Sequence, residues 1–188
     1  MFTIRHETVL DIPAREALLD RCFGEGRFGK TSERLREGRA PADELSLVVE
    51  RLGRLVGTIR LWHVAAGDGR PALLLGPVAV APELQGLGLG GKLVREALAR
   101  AAELGHRAVI LVGDEPYYRR FGFSREAVGG LSLPGPYAAE RFLGLELARG
   151  ALFGAQGLVT ATGRPAPLGA AELRETERDR GQTLLRAA

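Results

Sequence analysis

The sequence predicts a mixed α/β domain of the α+β type, in which a β-sheet of about seven strands is splayed at its centre and flanked by about four helices. Segments with strand periodicity alternate with helical segments in the order β-α-α-β-β-β-α-β-α-β-β. A glycine-proline pair, Gly76-Pro77, interrupts the segment predicted as the central buried strand, which favours a bulge or splay there. The length of 188 residues, with 45% hydrophobic and 26% charged residues, suits one globular domain with a sizeable core.

The start of the chain supplies one strand and two helices. Phe2 to His6 alternate apolar and polar side chains, as a half-buried strand does. Asp11 stands at the N-cap position of the first helix, IPAREALLDRCF, whose proline lies just inside the helix. Thr31 is expected to cap a shorter second helix, which Gly38 ends.

The middle of the chain supplies six further strands and two helices. Residues 45 to 64 predict a hairpin that turns at Gly53, and ALLLGPVAV then predicts the central strand. A helix from about Gly88 to Leu104 precedes the buried strand AVILVG and a short helix or turn, EPYYRRFGF. The segments ERFLGLELA and GAQGLVTA are predicted to form a closing pair of strands.

The chain changes composition after residue 160. Residues 161–188 are rich in proline, glycine, alanine and charge, so we divide the chain into a domain over residues 1–160 and a C-terminal extension over residues 161–188. The extension is predicted to be a linker followed by a weak helix from Ala170 to Leu185. It is either a disordered tail or an arm that docks on the domain.

Composition excludes several classes of partner. The net charge is +3, the cations are spread along the chain, and aromatic residues do not interleave with a basic block, which argues against nucleic-acid binding. No apolar run approaches the ~20 residues of a membrane span, and no signal peptide is seen, so we expect a cytoplasmic protein. The single cysteine, Cys22, cannot form an internal disulfide, and no metal is expected.

The stretch APELQGLGLGGKLVREAL, which begins at Ala81, fits three phosphate-binding patterns. A dinucleotide fingerprint would begin at Gly86 and would use Asp114 for the ribose, but such a fingerprint follows its strand directly, whereas five residues intervene here. A Walker A loop would need a hydroxyl after Lys92, where the chain has Leu93. The third pattern, Gln-x-x-Gly-x-Gly from Gln85, places flexible backbone at a helix N-terminus, where free N–H groups bind an anion.

Two segments carry a family resemblance. GPVAVAPELQGLGLGGKL resembles the central motif of the GNAT N-acetyltransferase superfamily, and YYRRFGF resembles the motif that follows it. The order of elements from Phe2 to about Thr160 is similar as well, and LPGPYAAERFLGLEL resembles a subgroup of small bacterial predicted acetyltransferases. The resemblance implies acetyl-CoA as co-substrate, with its pantetheine arm paired to the edge of the splayed central strand.

The resemblance also implies which residues hold the cofactor. The pantetheine arm would pair with Val78, Ala79 and Val80, where a backbone N–H would also stabilise charge on the carbonyl oxygen. The residues implied for the pyrophosphate form one continuous run: Gln85, Gly86, Leu87, Gly88, Leu89, Gly90, Gly91 and Lys92.

The first candidates for proton transfer, Tyr118 and Asp114, follow the buried strand AVILVG. Tyr118 matches the family tyrosine that donates a hydrogen bond or proton to the departing sulfur, although Tyr117 beside it leaves open which ring faces the sulfur. Asp114 is the first candidate for the base, and it is equally a candidate helix cap. Glu115, Glu83 and His63 are further candidates for the base, each also suited to a turn or surface role.

The family architecture places the acceptor site at the loop between the first two helices and at the closing strands. This implies Phe23, Arg27 and Phe28, together with the region around Tyr137 and Arg141. Arg27 is either a ligand for an acceptor carboxylate or an ordinary solvated arginine.

The function expected from the resemblance is acetyl-CoA-dependent transfer to an amine of a small molecule, an amino acid or a protein. The amine would attack the thioester directly in a ternary complex. A non-catalytic sensor that binds acyl-CoA is the alternative, and a different acyl donor, such as succinyl- or propionyl-CoA, stays open. The sequence also leaves a homodimer open.

Overall fold

A mixed, seven-stranded sheet runs through the molecule, of which the computed structural model describes residues 1–167. The strands are β1 (Thr3–His6), β2 (Ser46–Arg51), β3 (Arg54–Ala66), β4 (Arg70–Val80), β5 (Ala108–Val112), β6 (Leu131–Ser132), β7 (Phe142–Glu146), β8 (Gly157–Leu158) and β9 (Thr160–Ala161). The sheet has the order β1-β2-β3-β4-β5-β7, and β9 pairs with β3. The β4–β5 pair is parallel and the other neighbours are antiparallel, while β6 and β8 form a separate parallel pair.

Four α-helices accompany the sheet in the described chain: α1 (Ile12–Phe23), α2 (Thr31–Arg34), α3 (Leu89–Glu103) and α4 (Glu115–Tyr118). The predicted fold class, with about seven strands and about four helices, is confirmed. Short 3₁₀ turns join the elements, including one over Glu25–Gly29 and one over Pro82–Leu84.

Period-2 alternation along the strands builds two cores, one on each face of the sheet. In β3, Ile59 and Leu61 face a core that also contains Leu18 and Leu19 of α1 and the apolar stripe of α3. Trp62 of the same strand faces the other core, which the chain after α2 and residues 128–159 cover. The long helices therefore lie together on one face of the sheet.

The sheet is splayed between β4 and β5. These strands pair at Leu73 with Val109 and at Leu74 with Ile110, whereas β4 continues to Val80. Beyond Leu74, β4 remains paired with β3 only. The edge of β4 that faces β5 is thus open along its last residues, next to the cis peptide bond between Gly76 and Pro77.

The two predicted helix caps have different outcomes. Asp11 is the N-cap residue of α1, as predicted, but its carboxylate makes no cap bond to α1, because it accepts hydrogen bonds from the Thr8 backbone N–H at 2.8 Å and from the Arg5 guanidinium at 2.7 and 2.8 Å. Thr31 lies inside α2, and its hydroxyl donates to the carbonyl oxygen of Pro136. The predicted cap at Thr31 is therefore wrong, because a partner 105 residues away has taken its hydroxyl, whereas the partners of Asp11 lie only three and six residues from it.

The predicted closing pair of strands is also wrong. The segment GAQGLVTA divides into β8 and β9, so it does not pair with β7. Between these strands, Val159 is fully buried and its N–H donates to the carbonyl of Ser132. Further on, the carbonyl of Arg164 accepts a bond from Ala40, while the predicted helix from Ala170 to Leu185 lies outside the described residues.

Candidate functional site

A cavity of about 270 Å³ lies where β4 and β5 diverge. The end of α1, the chain through α2 and the start of α4 complete its walls. The residues singled out from the sequence that line it are Phe23, Arg27, Val78, Asp114, Tyr117, Tyr118 and Arg141. Phe28, His63 and Glu83 are not among the residues that line it. The fold thus brings candidate residues for the acceptor and for proton transfer to one cavity, whereas Ala79, Val80 and the predicted pyrophosphate loop Gln85–Lys92 lie outside its lining.

The glycine loop leaves β4 through the 3₁₀ turn Pro82–Leu84 and enters α3 at Leu89. Gly86 and Gly88 have left-handed backbone torsions, with φ of 81° and 75°. A Cβ atom on either glycine would meet no atom within 4 Å, so the loop presents bare backbone to open space. The unpaired N–H groups and the positive dipole end of a long helix meet this space, as an anion requires.

Gln85 attaches the loop to the end of β4. Its side-chain amide donates to the carbonyl oxygen of Val80 at 3.3 Å, and the Cys22 thiol of α1 lies 3.4 Å from the same oxygen. Burial raises the pKa of the Cys22 thiol, which keeps it in the neutral form. The thiol is therefore a packing contact between α1 and β4.

The two adjacent tyrosines line the cavity with different neighbours. The Tyr117 hydroxyl points toward the glycine loop, because a Cβ atom on Gly90 would lie 3.1 Å from its oxygen. The Tyr118 ring packs on the core, with its centroid 5.9 Å from that of Phe123, and Gly113 leaves no room for a Cβ atom against it. Burial, with smaller contributions from Tyr117 and Asp114, raises the pKa of Tyr118 to about 12. Its hydroxyl is a proton donor at neutral pH.

Comparisons with known proteins decide the family. The model of the acetyltransferase (GNAT) family matches residues 13–123. The uncharacterized N-acetyltransferase YhbS of Escherichia coli (strain K12) is 34% identical over 158 residues, which cover 83% of this chain and 93% of YhbS. The chain belongs to the GNAT acetyltransferase family. The uncharacterized N-acetyltransferase YjhQ of the same strain is 32% identical over 120 residues, which cover 62% of this chain and 66% of YjhQ.

Two solved structures of this family hold the cofactor. The crystal structure of YhbS in complex with CoA matches with a TM-score of 0.73 and 34% identity, covering 86% of this chain and 89% of that one. A GNAT acetyltransferase from Brucella melitensis in complex with acetyl-CoA matches with a TM-score of 0.59 and 30% identity, covering 89% and 92%. The predicted family, enzyme class and cofactor, an acyltransferase that depends on acetyl-CoA, are confirmed.

The residues of this acetyltransferase fit that cofactor. The two open glycine positions at the start of α3 leave room for a pyrophosphate, which a Cβ atom would fill. The unpaired edge of β4 after Leu74 suits an extended pantetheine arm. Within residues 1–167, no group of three or more His, Cys, Asp or Glu side chains could hold a metal ion, and no helix has the length and apolarity needed to cross a membrane.

Two of the candidate bases, Asp114 and Glu83, lie in exposed positions, whereas Glu115 and His63 are half-buried. Asp114 precedes α4, where its backbone carbonyl accepts from Tyr117 and Tyr118, but its side chain makes no cap bond. Its carboxylate lies 3.1 Å from the Arg141 guanidinium, and both side chains are at least half exposed. Glu83 pairs with Arg21 on the surface at 2.9 Å. Asp114 is the one of these carboxylates that lines the cavity.

Two cations of the cavity were missed by sequence reasoning. Lys30 is the last residue of the predicted loop between the first two helices, two residues after Phe28, so the position of the loop alone could have included it. Arg36 lies buried after α2, and a Cβ atom on Gly76 would be 3.0 Å from its Nη2. No sequence signal marks Arg36, since its place depends on how α2 packs against β4.

Proposed function

We propose that this acetyltransferase moves an acetyl group from acetyl-CoA to an amine that enters the cavity between β4 and β5, by direct attack in a ternary complex. One observation carries the proposal: a single cavity joins the open edge of β4 with a partly buried Tyr118 whose hydroxyl carries its proton at neutral pH. Acetyl-CoA, when bound, supplies the activated acyl carbon of its thioester.

The chain holds that cofactor along two elements. We assign the pyrophosphate to the loop from Gln85 to Lys92, whose glycines let backbone N–H groups reach it. We assign the pantetheine arm to Val78, Ala79 and Val80, at the open edge of β4. A backbone N–H of this edge also supports the negative charge that develops on the thioester oxygen during attack.

Tyr118 is assigned to the departing sulfur. Its hydroxyl carries its proton at neutral pH because burial disfavours the phenolate. A phenol held in this form can donate to a thiolate that leaves the cavity. Asp114 is assigned to receive the proton of the acceptor ammonium, through water, because it is an exposed carboxylate at the mouth of the same cavity.

The acceptor is placed against Phe23 and the chain through α2. Phe23 lines the cavity, whereas Phe28 lies under the Arg27 guanidinium at 4.1 Å and is assigned to shaping the wall. A cytoplasmic location and a homodimer stay predictions from the sequence.

The decisive experiment is a transfer assay on the purified protein. Acetyl-CoA is added with a panel of amines, and the release of CoA thiol is followed against a control without amine, which subtracts the signal of Cys22. Amine-dependent release of thiol together with the acetylated product supports the proposal. Tight binding of acetyl-CoA with no turnover on any amine or peptide would instead support a sensor.

A further inference from the structure

The cavity carries an excess of positive charge. Its described lining includes the cations Arg27, Lys30, Arg36 and Arg141, against two carboxylates, Glu33 and Asp114. Arg36 lies 3.4 Å from Glu33, and Arg141 lies 3.1 Å from Asp114. A free amine is itself a cation at neutral pH, so a cavity of this charge disfavours a simple monoamine or polyamine.

Arg27 is engaged within the protein and does not contribute to this excess. Its Nη2 donates to Glu16 at 2.6 Å, and its Nε donates to Asp20 at 2.8 Å. Glu16 in turn accepts from Arg15 at 2.9 Å. The guanidinium that the sequence offered as an acceptor ligand is thus part of a structural ion network.

Lys30 is the cation whose charge the cavity does not balance. Its Nζ lies 4.6 Å from the centroid of the Phe23 ring, and among the described side chains it forms no ion pair with a carboxylate. Burial, followed by the positive charges of Arg141 and Arg36, lowers the pKa of Lys30. An anion bound beside Lys30 would raise the pKa of Lys30, because a negative charge stabilises the ammonium form.

Arg141 is available to the same anion. Its ion pair with Asp114 joins two exposed side chains, 50% and 74% accessible, and such pairs contribute little and exchange readily with water. Arg36, the third of these cations, is buried and paired with Glu33. The cavity lining therefore offers two exposed cations, Lys30 and Arg141, to an anion.

We propose that the acceptor is an amine that also carries a carboxylate, as a free amino acid does, and that Lys30 and Arg141 bind this carboxylate. The inference rests on the proposed function and names its substrate class. A zwitterion enters the cavity without net charge, and its carboxylate forms charge-assisted hydrogen bonds with both cations. The positive charge of these cations also lowers the pKa of the acceptor ammonium, which eases loss of its proton where the available carboxylates are exposed.

The test compares matched pairs of acceptors. The twenty common amino acids are each assayed as the free acid and as the α-amide, which keeps the amine and side chain and removes the negative charge. We expect at least one acid with a kcat/KM about ten-fold or more above that of its amide, mainly through a lower KM. Equal values for every pair, or a preference for the amides, would overturn the inference.

Substitutions test whether Lys30 and Arg141 cause the preference for the free acid over the amide. Lys30→Gln and Arg141→Gln should each reduce the ratio of acid to amide toward one, without a matching loss of CoA affinity. Arg149→Gln is the control, because Arg149 follows the end of β7 that pairs with the start of β5, at the edge opposite the cavity. A ratio that Lys30→Gln and Arg141→Gln leave intact, or a fall in CoA affinity that accounts for the change, contradicts the assignment.

Direct binding separates this inference from the proposed function. The N-acetyl amino acids and their amides are titrated into protein saturated with CoA, where the acids should bind more tightly. If no acid binds better than its amide, the inference fails, although thiol release with other amines would leave the acetyltransferase proposal standing. If CoA itself does not bind, the proposed function fails, and titration without CoA still tests Lys30 and Arg141.

Discussion

The Tyr117 hydroxyl oxygen lies 3.1 Å from the position that a Cβ atom on Gly90 would occupy, whereas the neighbouring Tyr118 ring packs against Phe123 in the core. Adjacent residues on the short helix α4 therefore face different parts of the proposed site. Tyr117 lies beside the glycine loop that we assign to the cofactor. Tyr118, which is partly buried, carries the hydroxyl that we assign to the departing sulfur.

Removing each hydroxyl should affect a different kinetic constant. We expect Tyr118→Phe to lower kcat by about 100-fold, because a general acid contributes on that order, with little change in acetyl-CoA affinity. Tyr117→Phe should raise the KM for acetyl-CoA more than it lowers kcat. Steady-state kinetics with both substrates varied provide the measurement. The reverse pattern would exchange the roles of the two tyrosines.

The raised pKa of Tyr118 also predicts a dependence of stability on alkaline pH. The hydroxyl has a pKa near 10 when unfolded and about 12 in the folded protein. Its contribution is fully present below about pH 10 and is lost as the pH rises toward 12, because only the unfolded chain ionises in that range. Urea unfolding at pH 8 and pH 11 should show a smaller loss of stability in Tyr118→Phe than in the wild type. Equal losses would indicate that this hydroxyl is not buried.

Substitution of two glycines at opposite ends of α3 distinguishes a loss of cofactor binding from the cost of backbone strain. Gly88 has φ of 75° and Gly105 has φ of 82°, and a Cβ atom on either would meet no atom within 4 Å. Alanine at each position should therefore lower the free energy of unfolding by a similar amount, roughly 1 kcal/mol. Only Gly88→Ala should weaken CoA binding, by about ten-fold or more as measured by calorimetry. Unchanged CoA affinity in Gly88→Ala would remove the loop from the cofactor site.

A buried ion network supports the wall of the cavity that we assign to the acceptor. Glu7 accepts from Arg60 at 2.8 Å and also pairs with Arg15, while Glu16 joins Arg15 to Arg27. Glu16→Gln would leave Arg15 and Arg27 with less compensation in a buried setting. We expect it to lower the free energy of unfolding at pH 7 by about 3 kcal/mol. Chemical denaturation provides the measurement, with the exposed Glu96→Gln on α3 as the control.

The same ion network predicts how the stability of the protein changes at acidic pH. Burial acts to raise the pKa of Glu16, but the charges and hydrogen bonds of Arg15 and Arg27 outweigh it, so the pKa is lowered. Its contribution to stability is therefore present above the unfolded pKa of about 4.3 and is lost as the pH falls through the lower folded pKa. Between pH 5 and pH 3 the wild type should lose more stability than Glu16→Gln. Parallel curves for the two proteins would contradict the pairing.

The fold was predictable where local rules decide it. Alternation along β3 sets which side chains face each core, Gly76-Pro77 marks the splay, and left-handed torsions at Gly86 and Gly88 demand glycine. Choices between distant partners were not predictable. β9 pairs with β3, and the Thr31 hydroxyl donates to the carbonyl of Pro136.

The sequence predicted Arg141 near the acceptor site, but it did not predict that Lys30 and Arg36 would join it in one cation cluster of the cavity. Lys30, Arg36 and Arg141 are brought together by the packing of α2 and of the chain before β7 around the open edge of β4. Each residue in isolation is an ordinary basic residue of the sequence. Their shared chemistry exists only in the folded chain, so neither spacing nor periodicity could indicate it.

The single tryptophan should report binding in the cavity. Trp62 is 2% exposed, and its indole N–H donates at 2.6 Å to the carbonyl of Gly76, a residue that lines the cavity. A ligand that contacts the backbone at Gly76 changes the polarity around this hydrogen bond. Titration with acetyl-CoA should therefore change the tryptophan emission with the same Kd that calorimetry gives. Trp62→Phe removes the signal and serves as the blank, and constant emission through a calorimetrically saturating titration would place the bound cofactor away from Gly76.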